Sequence, residues 1–206
     1  MLNKHHQKKI VIVGVGFPDV LNIIENINKK EHSINILGFL DDNRKFLRKS
    51  FWGHKVIGGI DWLKDKKNIY VVNSIAKNCQ TRSEAFKKIE KYNKNFLNLI
   101  DPSVGISNVR FSKGVIVNKG VSFGYNTKVG FGSILSWDSH LGHGSVLGKN
   151  CFLAKGAAVL GNVKINDKVF VGSNASILPG VKIGSDCNIF SNSTVIENLK
   201  NKSFIK

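Results

Sequence analysis

From Val115 to Asn198 the chain can be written as fourteen successive rows of six residues with no insertion, and the third residue of every row is apolar, from Val117 and Phe123 through Ile189 and Val195. A preceding row, VRFSKG, keeps the pattern with Phe111. A helix of 3.6 residues per turn cannot hold a spacing of six on one face, because each step rotates the marked position out of register. Gly, Asn, Asp and Ser crowd the last three columns, where a turning chain often needs φ > 0. The period therefore predicts very short strands joined by turns, one inward side chain per strand, and coils stacked ~4.8 Å apart as a parallel β-helix.

The first half reads differently. Lys9 to Val13 is an apolar run ending in Gly14-Val15-Gly16, and Pro18 suits the first turn of a helix reaching to about Lys30. Ile34 to Leu40 reads as a second strand, closed by Asp41-Asp42-Asn43, and Ile69 to Asn73 as a third. Thr81 with Glu84 has the capping-box spacing for a helix to about Asn93, and Phe96 to Ile100 forms a fourth strand stopped by Asp101-Pro102. Alternating strands and helices imply a parallel sheet with a ligand crevice at the strand ends. The expected organisation is thus a small Rossmann-like α/β domain over 1–102 and an all-β repeat domain over 103–206.

Charge and cysteine content bound the partners. Lys and Arg number 31 against 14 Asp and Glu, a formal net charge of +17. The excess is spread over both halves, with no dense basic tail and no aromatic stacking motif among the lysines. It therefore points to phosphorylated small ligands rather than to nucleic acid. Met1 to Lys9 is basic and precedes an apolar run, the opening of a signal peptide, but Pro18-Asp19 cuts the run short without a small-residue cleavage site, so a buried first strand is expected. No stretch reaches the roughly 18 apolar residues of a membrane span. Cys79, Cys151 and Cys187 form neither a CxxC pair nor a disulfide ladder, which fits a reducing cytosol.

Gly14-x-Gly16-x-x-Asp19 is a reduced form of a dinucleotide fingerprint. A glycine turn lets the backbone approach a phosphate, and the helix that follows offers free N–H groups. Asp42 follows Gly14 by 28 positions (42 − 14), where a partner for a ribose or base is expected. The alternative for Asp41 and Asp42 is a solvated turn.

Six pieces of the chain carry a resemblance: the opening IVIVGVGF, the GFLDDN segment, VIGGIDWL, VVNSIAKN with Arg82 downstream, Asp101-Pro102-Ser103, and the uninterrupted hexads. Together they resemble the hexapeptide-repeat sugar acetyltransferases of the sialic acid O-acetyltransferase and UDP-4-amino-sugar N-acetyltransferase type. The resemblance implies a left-handed parallel β-helix of 18 residues per coil, a homotrimer with active sites between neighbouring helices, and acetyl-CoA as co-substrate without a metal. It also implies that the small domain holds the nucleotide of the sugar, through Gly14, Gly16, Asp41, Asp42 and Gly59.

By the same resemblance His143, in the row SHLGHG, is the general base; an imidazole near pKa 6.5 can take a proton from an attacking amine at neutral pH. Gly144 stands where the family has the acidic residue that orients the ring, so Asp138 or a neighbouring subunit would have to serve; His140 is the alternative base. Gly161 lies 18 residues on, and its N–H is expected to hold the acetyl carbonyl. Phe152 is expected against the acetyl-CoA arm and Ser136 near the sugar. The implied activity is N-acetylation of a nucleotide-linked 4-amino-4,6-dideoxy sugar for bacterial surface glycans, in the cytoplasm. Alternatives are O-acetylation of a sialic acid-like sugar and a non-catalytic β-helix binding protein. A zinc site of the γ-carbonic anhydrase kind needs three histidines, and the repeat domain has two.

Overall fold

The computed structural model describes residues 7–76 and 78–205. Met1 to His6, the start of the segment weighed as a signal peptide, and Lys77 of VVNSIAKN lie outside the described residues. The chain forms two compact units, the first ending at Leu99 and the second starting at Ile100. The Asp101 N–H donates to Val117 O at 2.9 Å, so the Asp101-Pro102 stop belongs to the repeat unit.

The first unit is built on β1 (Lys8–Val13), α1 (Asp19–Glu31), β2 (Ile34–Leu40), β3 (Ser50–Phe51), β4 (His54–Gly58), β5 (Tyr70–Asn73), α2 (Cys79–Glu90) and β6 (Asn95–Phe96). Its sheet has the order β3-β4-β2-β1-β5-β6, and all pairings are parallel except the β3–β4 hairpin. β1 lies at the centre, and its run Ile10 to Val13 is buried, as the continuous apolar pattern of a two-sided parallel strand demands. The order changes direction between β1 and β5, which opens a crevice at the carboxyl ends of those strands.

Three local features differ from the sequence reading. The hairpin of β3 and β4 falls in a stretch with no clear strand period. The helix α2 starts at Cys79, because Asn78 caps it: its Oδ1 accepts the Thr81 N–H at 3.0 Å, and Thr81 therefore lies inside the helix. The expected fourth strand also splits, with Asn95–Phe96 joining this sheet and Leu99–Ile100 joining a sheet of the repeat.

The second unit is a parallel β-helix of three sheets. Strands pair with the strand 18 residues on, as in Ser122↔His140↔Ala158↔Ser176↔Thr194. The final coil is shorter, since Asn188 pairs with Phe204. The expectation of one inward residue per row needs correction. The first column, including Val115, Cys151, Ala157 and Cys187, is buried with the third. Residues i and i+2 of a strand share a face, so both point into the coil while the second column points out. The first column sits at the corners and takes small residues.

Some of those small residues also satisfy the turns. Ser133 Oγ donates to Gly148 O at 2.7 Å and Ser145 Oγ to Leu160 O at 2.8 Å, while Cys151 Sγ lies 3.0 Å from Asn166 O. Within the rows of six, positive φ falls in the sixth column, at every row end from Gly114 to Asn192. Those positions are Gly, Asn or Asp except Lys168, the residues that tolerate the left-handed region.

Candidate active site

On the β-helix, the fifth column places Tyr125, His143, Gly161 and Pro179 on one corner of successive coils. Backbone bonds fix the stack: Gly144 N–H donates to Tyr125 O at 2.8 Å, Asn162 N–H to His143 O at 2.7 Å, and Gly180 N–H to Gly161 O at 3.0 Å. The glycines let the coils approach this closely. A Cβ at Gly124 would lie 2.2 Å from His143 N, and one at Gly142 would lie 2.5 Å from Leu160 C.

The exposed His143 imidazole lies across Gly161. A Cβ on Gly161 would stand 2.4 Å from His143 Nε2 and 2.7 Å from Cε1, so only glycine leaves the ring this place. The N–H of Gly161 has no acceptor within the described residues. The same holds for the N–H groups of Tyr125 and His143, so a free amide is a property of this corner. What is particular to Gly161 is a bare amide with an imidazole beside it. That pairing offers a proton acceptor and an oxyanion donor within one coil spacing.

No side chain of the described residues hydrogen-bonds the His143 ring. Asp138 does not serve: its carboxylate folds over Gly120 on the preceding coil. His140 is half-buried in the second column and engaged elsewhere, its Nδ1 2.8 Å from Ser122 Oγ. Phe152 is 8% exposed and stacks on Phe170, with centroids 5.4 Å apart and planes 5° from parallel. Ser136 is buried, its N–H bonded to Leu153 O. Tyr125, 71% exposed one coil before His143, escaped the sequence reading, because the 18-residue spacing was followed only forward from His143, to Gly161.

In the α/β unit a cleft of about 560 Å³, open mouth included, is lined by Gly14, Asp41, Asp42, Ile75, Thr81, Glu84 and Lys88 among others. Gly14 has φ +89, and a Cβ there would meet Ile75 Cγ1 at 2.9 Å. Ser74 Oγ ties the turn down by donating to Val13 O and Gly14 O. Gly16 is exposed, with open space where a side chain would be. Gly59 packs beneath Asp42; a Cβ there would lie 3.0 Å from Asp42 Oδ1.

The acidic pair is largely occupied by its own chain. Asp41 Oδ1 accepts the Asn43 N–H at 2.9 Å. Asp42 Oδ1 accepts the Ile60 N–H at 2.9 Å, and its Oδ2 pairs with Lys88 Nζ at 2.9 Å. Burial alone would raise the Asp42 pKa, but the Ile60 amide and the Lys88 ammonium outweigh it and hold the carboxyl below the usual range. The same bond and charge raise Lys88. Arg82, 0% exposed, donates from Nη1 to Ile75 O at 2.8 Å and so holds the loop after β5. Lys88 carried no sequence signal, since nothing local shows which turn of α2 faces the cleft.

A depressed folded-state pKa contributes stability above the unfolded value, near 3.9 for Asp, and loses it as pH falls through the folded value. With the Asp42 and Lys88 side chains 46% and 58% exposed, the pair contributes at most about 1 kcal/mol. Lys88→Met is expected to raise the Asp42 pKa and to reduce stability slightly at pH 7 but not below the folded pKa. Carbon-detected NMR titration with denaturation at both pH values checks this.

Among the described residues no group of three or more His, Cys, Asp or Glu is arranged to hold a metal, and no helix is long and apolar enough to cross a membrane.

Residues 162–197 match the bacterial transferase hexapeptide family (six repeats). No curated protein matches the sequence. Among solved structures, the chain is similar to perosamine N-acetyltransferase from Caulobacter crescentus in complex with CoA and GDP-perosamine, at 24% identity and TM-score 0.84 over 95% of this chain and 92% of that one. It is similar to the acetyltransferase domain of PglB from Neisseria gonorrhoeae in complex with acetyl coenzyme A, at 18% identity and TM-score 0.86 over 96% and 95%. WeeI from Acinetobacter baumannii gives 19% identity and TM-score 0.82 over 95% and 94%. The likeness extends over nearly the whole chain, so the fold is shared.

Proposed function

We propose that this chain, which carries the transferase hexapeptide repeat on a fold shared with sugar acetyltransferases, is an acetyl-CoA-dependent N-acetyltransferase acting on a nucleotide-linked amino sugar. The observation that carries the reading is the His143 imidazole lying across the bare amide of Gly161. In this reading the β-helix is left-handed and the first unit is Rossmann-like. The nucleotide of the sugar binds in the α/β cleft, as its glycine turn favours. The similarity to an enzyme solved with CoA and GDP-perosamine supports a 4-amino-4,6-dideoxy sugar as acceptor.

The chemistry is a direct transfer. The sugar amine attacks the thioester carbonyl, His143 takes the amine proton, and the Gly161 N–H stabilises the developing oxyanion. The C–S bond then breaks, the proton held by His143 passes to the departing sulfur, and CoA leaves as the thiol. Cys151 and Cys187 are buried inside the coil and bonded to turn carbonyls, so a cysteinyl intermediate has no accessible nucleophile in the described β-helix. A homotrimer completes the reading, because the exposed corner of His143 needs a second wall to exclude water; light scattering tests it.

The deciding experiment is a CoA-release assay with acetyl-CoA and a panel of UDP-, GDP-, TDP- and CMP-linked sugars, with and without a 4-amino group. Release is expected only with amino sugars. Release with hydroxyl acceptors alone would favour O-acetylation, and none with any acceptor would leave a binding protein.

A further inference from the structure

Trp52 is a large aromatic residue in a place that neither turn preference nor burial explains. It and Gly53 form the two-residue turn between β3 and β4, where Ser50 pairs with Lys55 and Phe51 with His54. Both turn residues have positive φ, +53 and +80. Such a turn favours Asn, Asp or Gly at its first position, because a bulky side chain with φ > 0 crowds its own backbone. The indole gains little in return from burial, as Trp52 is 59% exposed.

One bond fixes where the ring goes. Trp52 Nε1 donates to Val15 O at 3.1 Å, across 37 residues of sequence. Val15 is the middle residue of the Gly14–Gly16 turn. The indole is therefore tethered by its N–H edge to the glycine turn, while most of its surface stays open to solvent. Around it, Gly16 is exposed with no atom within 4 Å of a built Cβ, and the N–H groups of Val15 and Gly16 have no acceptor within the described residues. An open π-face beside an unshielded backbone suits a flat aromatic group attached to an anion.

We propose that the Trp52 indole is the stacking platform for the base of a nucleotide held at the Gly14–Gly16 turn. This rests on the nucleotide-sugar reading above and assigns it the residue that receives the base. Every base has a π-face, so stacking tolerates different bases, and the platform sets affinity more than base identity. It also gives the strained turn a reason: the αL backbone aims the ring at the glycine turn, where an ordinary turn residue would leave the base in water.

The test is calorimetry of the full chain and of its Trp52→Phe and Trp52→Leu variants with GDP, UDP and inorganic pyrophosphate, with circular dichroism as the fold check and tryptophan fluorescence read alongside. Trp52→Leu keeps apolar bulk without a π-face and is expected to weaken both nucleotides by about 10- to 100-fold. Trp52→Phe keeps a smaller π-face without the bond to Val15 and should fall between. Pyrophosphate should bind all three proteins equally. GDP should quench the wild-type fluorescence and quench both variants less. Undiminished nucleotide binding by Trp52→Leu, equal loss in both variants, or a parallel loss of pyrophosphate would overturn the proposal. A wild-type chain that binds pyrophosphate but neither nucleotide, or binds none of the three, would instead remove the nucleotide reading beneath it.

Discussion

Replacing His143 with alanine is expected to lower kcat for acetyl transfer by about 10²–10⁴, the range of a positioned general base, while the protein stays folded. The ring makes no hydrogen bond within the described residues. The contribution of His143 to the stack is its backbone carbonyl, which accepts the Asn162 N–H and is retained in alanine. The loss should therefore appear in kcat with little change in melting temperature, and KM for acetyl-CoA should hold. Steady-state CoA release with a thermal melt checks both. Near-wild-type turnover in this variant together with an inactive His140→Ala would move the base to the His140–Ser122 pair.

Adding one methyl group at Gly161 should be nearly as damaging, for a different reason. The Gly161 backbone lies outside the left-handed region, so alanine is not strained there and keeps the N–H. The new Cβ would nevertheless sit 2.4 Å from His143 Nε2. The imidazole is exposed and can rotate away, so the cost falls on its position rather than on the fold. A displacement of about 1 Å in a reacting group can cost ~10²-fold, and Gly161→Ala should lose about that much in kcat/KM with its melting temperature within a few degrees. Activity close to wild type would mean that the observed stacking of His143 on Gly161 is not the working arrangement.

Much of the β-helix was legible in the residues. The hexad set the strand length, the inward third column and the location of the turns, because one coil repeats the same local problem and the chain solves it with the same residue types each time. The inward first column was missed because its residues, such as Ser133, Ser139, Ala157 and Thr127, are small or polar and carry no apolar period, although they are buried at the corners. In the α/β unit the apolar runs of β1, β2 and β5 were readable, since their carboxyl-terminal residues, Ile10 to Val13, Gly38 to Leu40 and Val71 to Asn73, are buried. The β3–β4 hairpin was not, because its two short strands lie at the sheet edge and have little apolar pattern to show.

The site residues divide along the same line. Gly14 and His143 announce themselves through residue type: a glycine where a strand must turn sharply, and a titratable ring in a row of small turn residues. What they touch is decided by contacts between residues far apart in the chain. Asp42 looked like a ligand in sequence, yet the fold bonds its two oxygens to Ile60 and Lys88, 18 and 46 residues away. Trp52 reaches Val15 over 37 residues, and His143 meets Gly161 only because each coil closes after 18. Local sequence determined the elements and the chemical types available, since backbone preference and burial period act within a few residues. The tertiary structure alone decided which of those groups are left free to act, because hydrogen-bond partners are assigned by packing rather than by sequence distance.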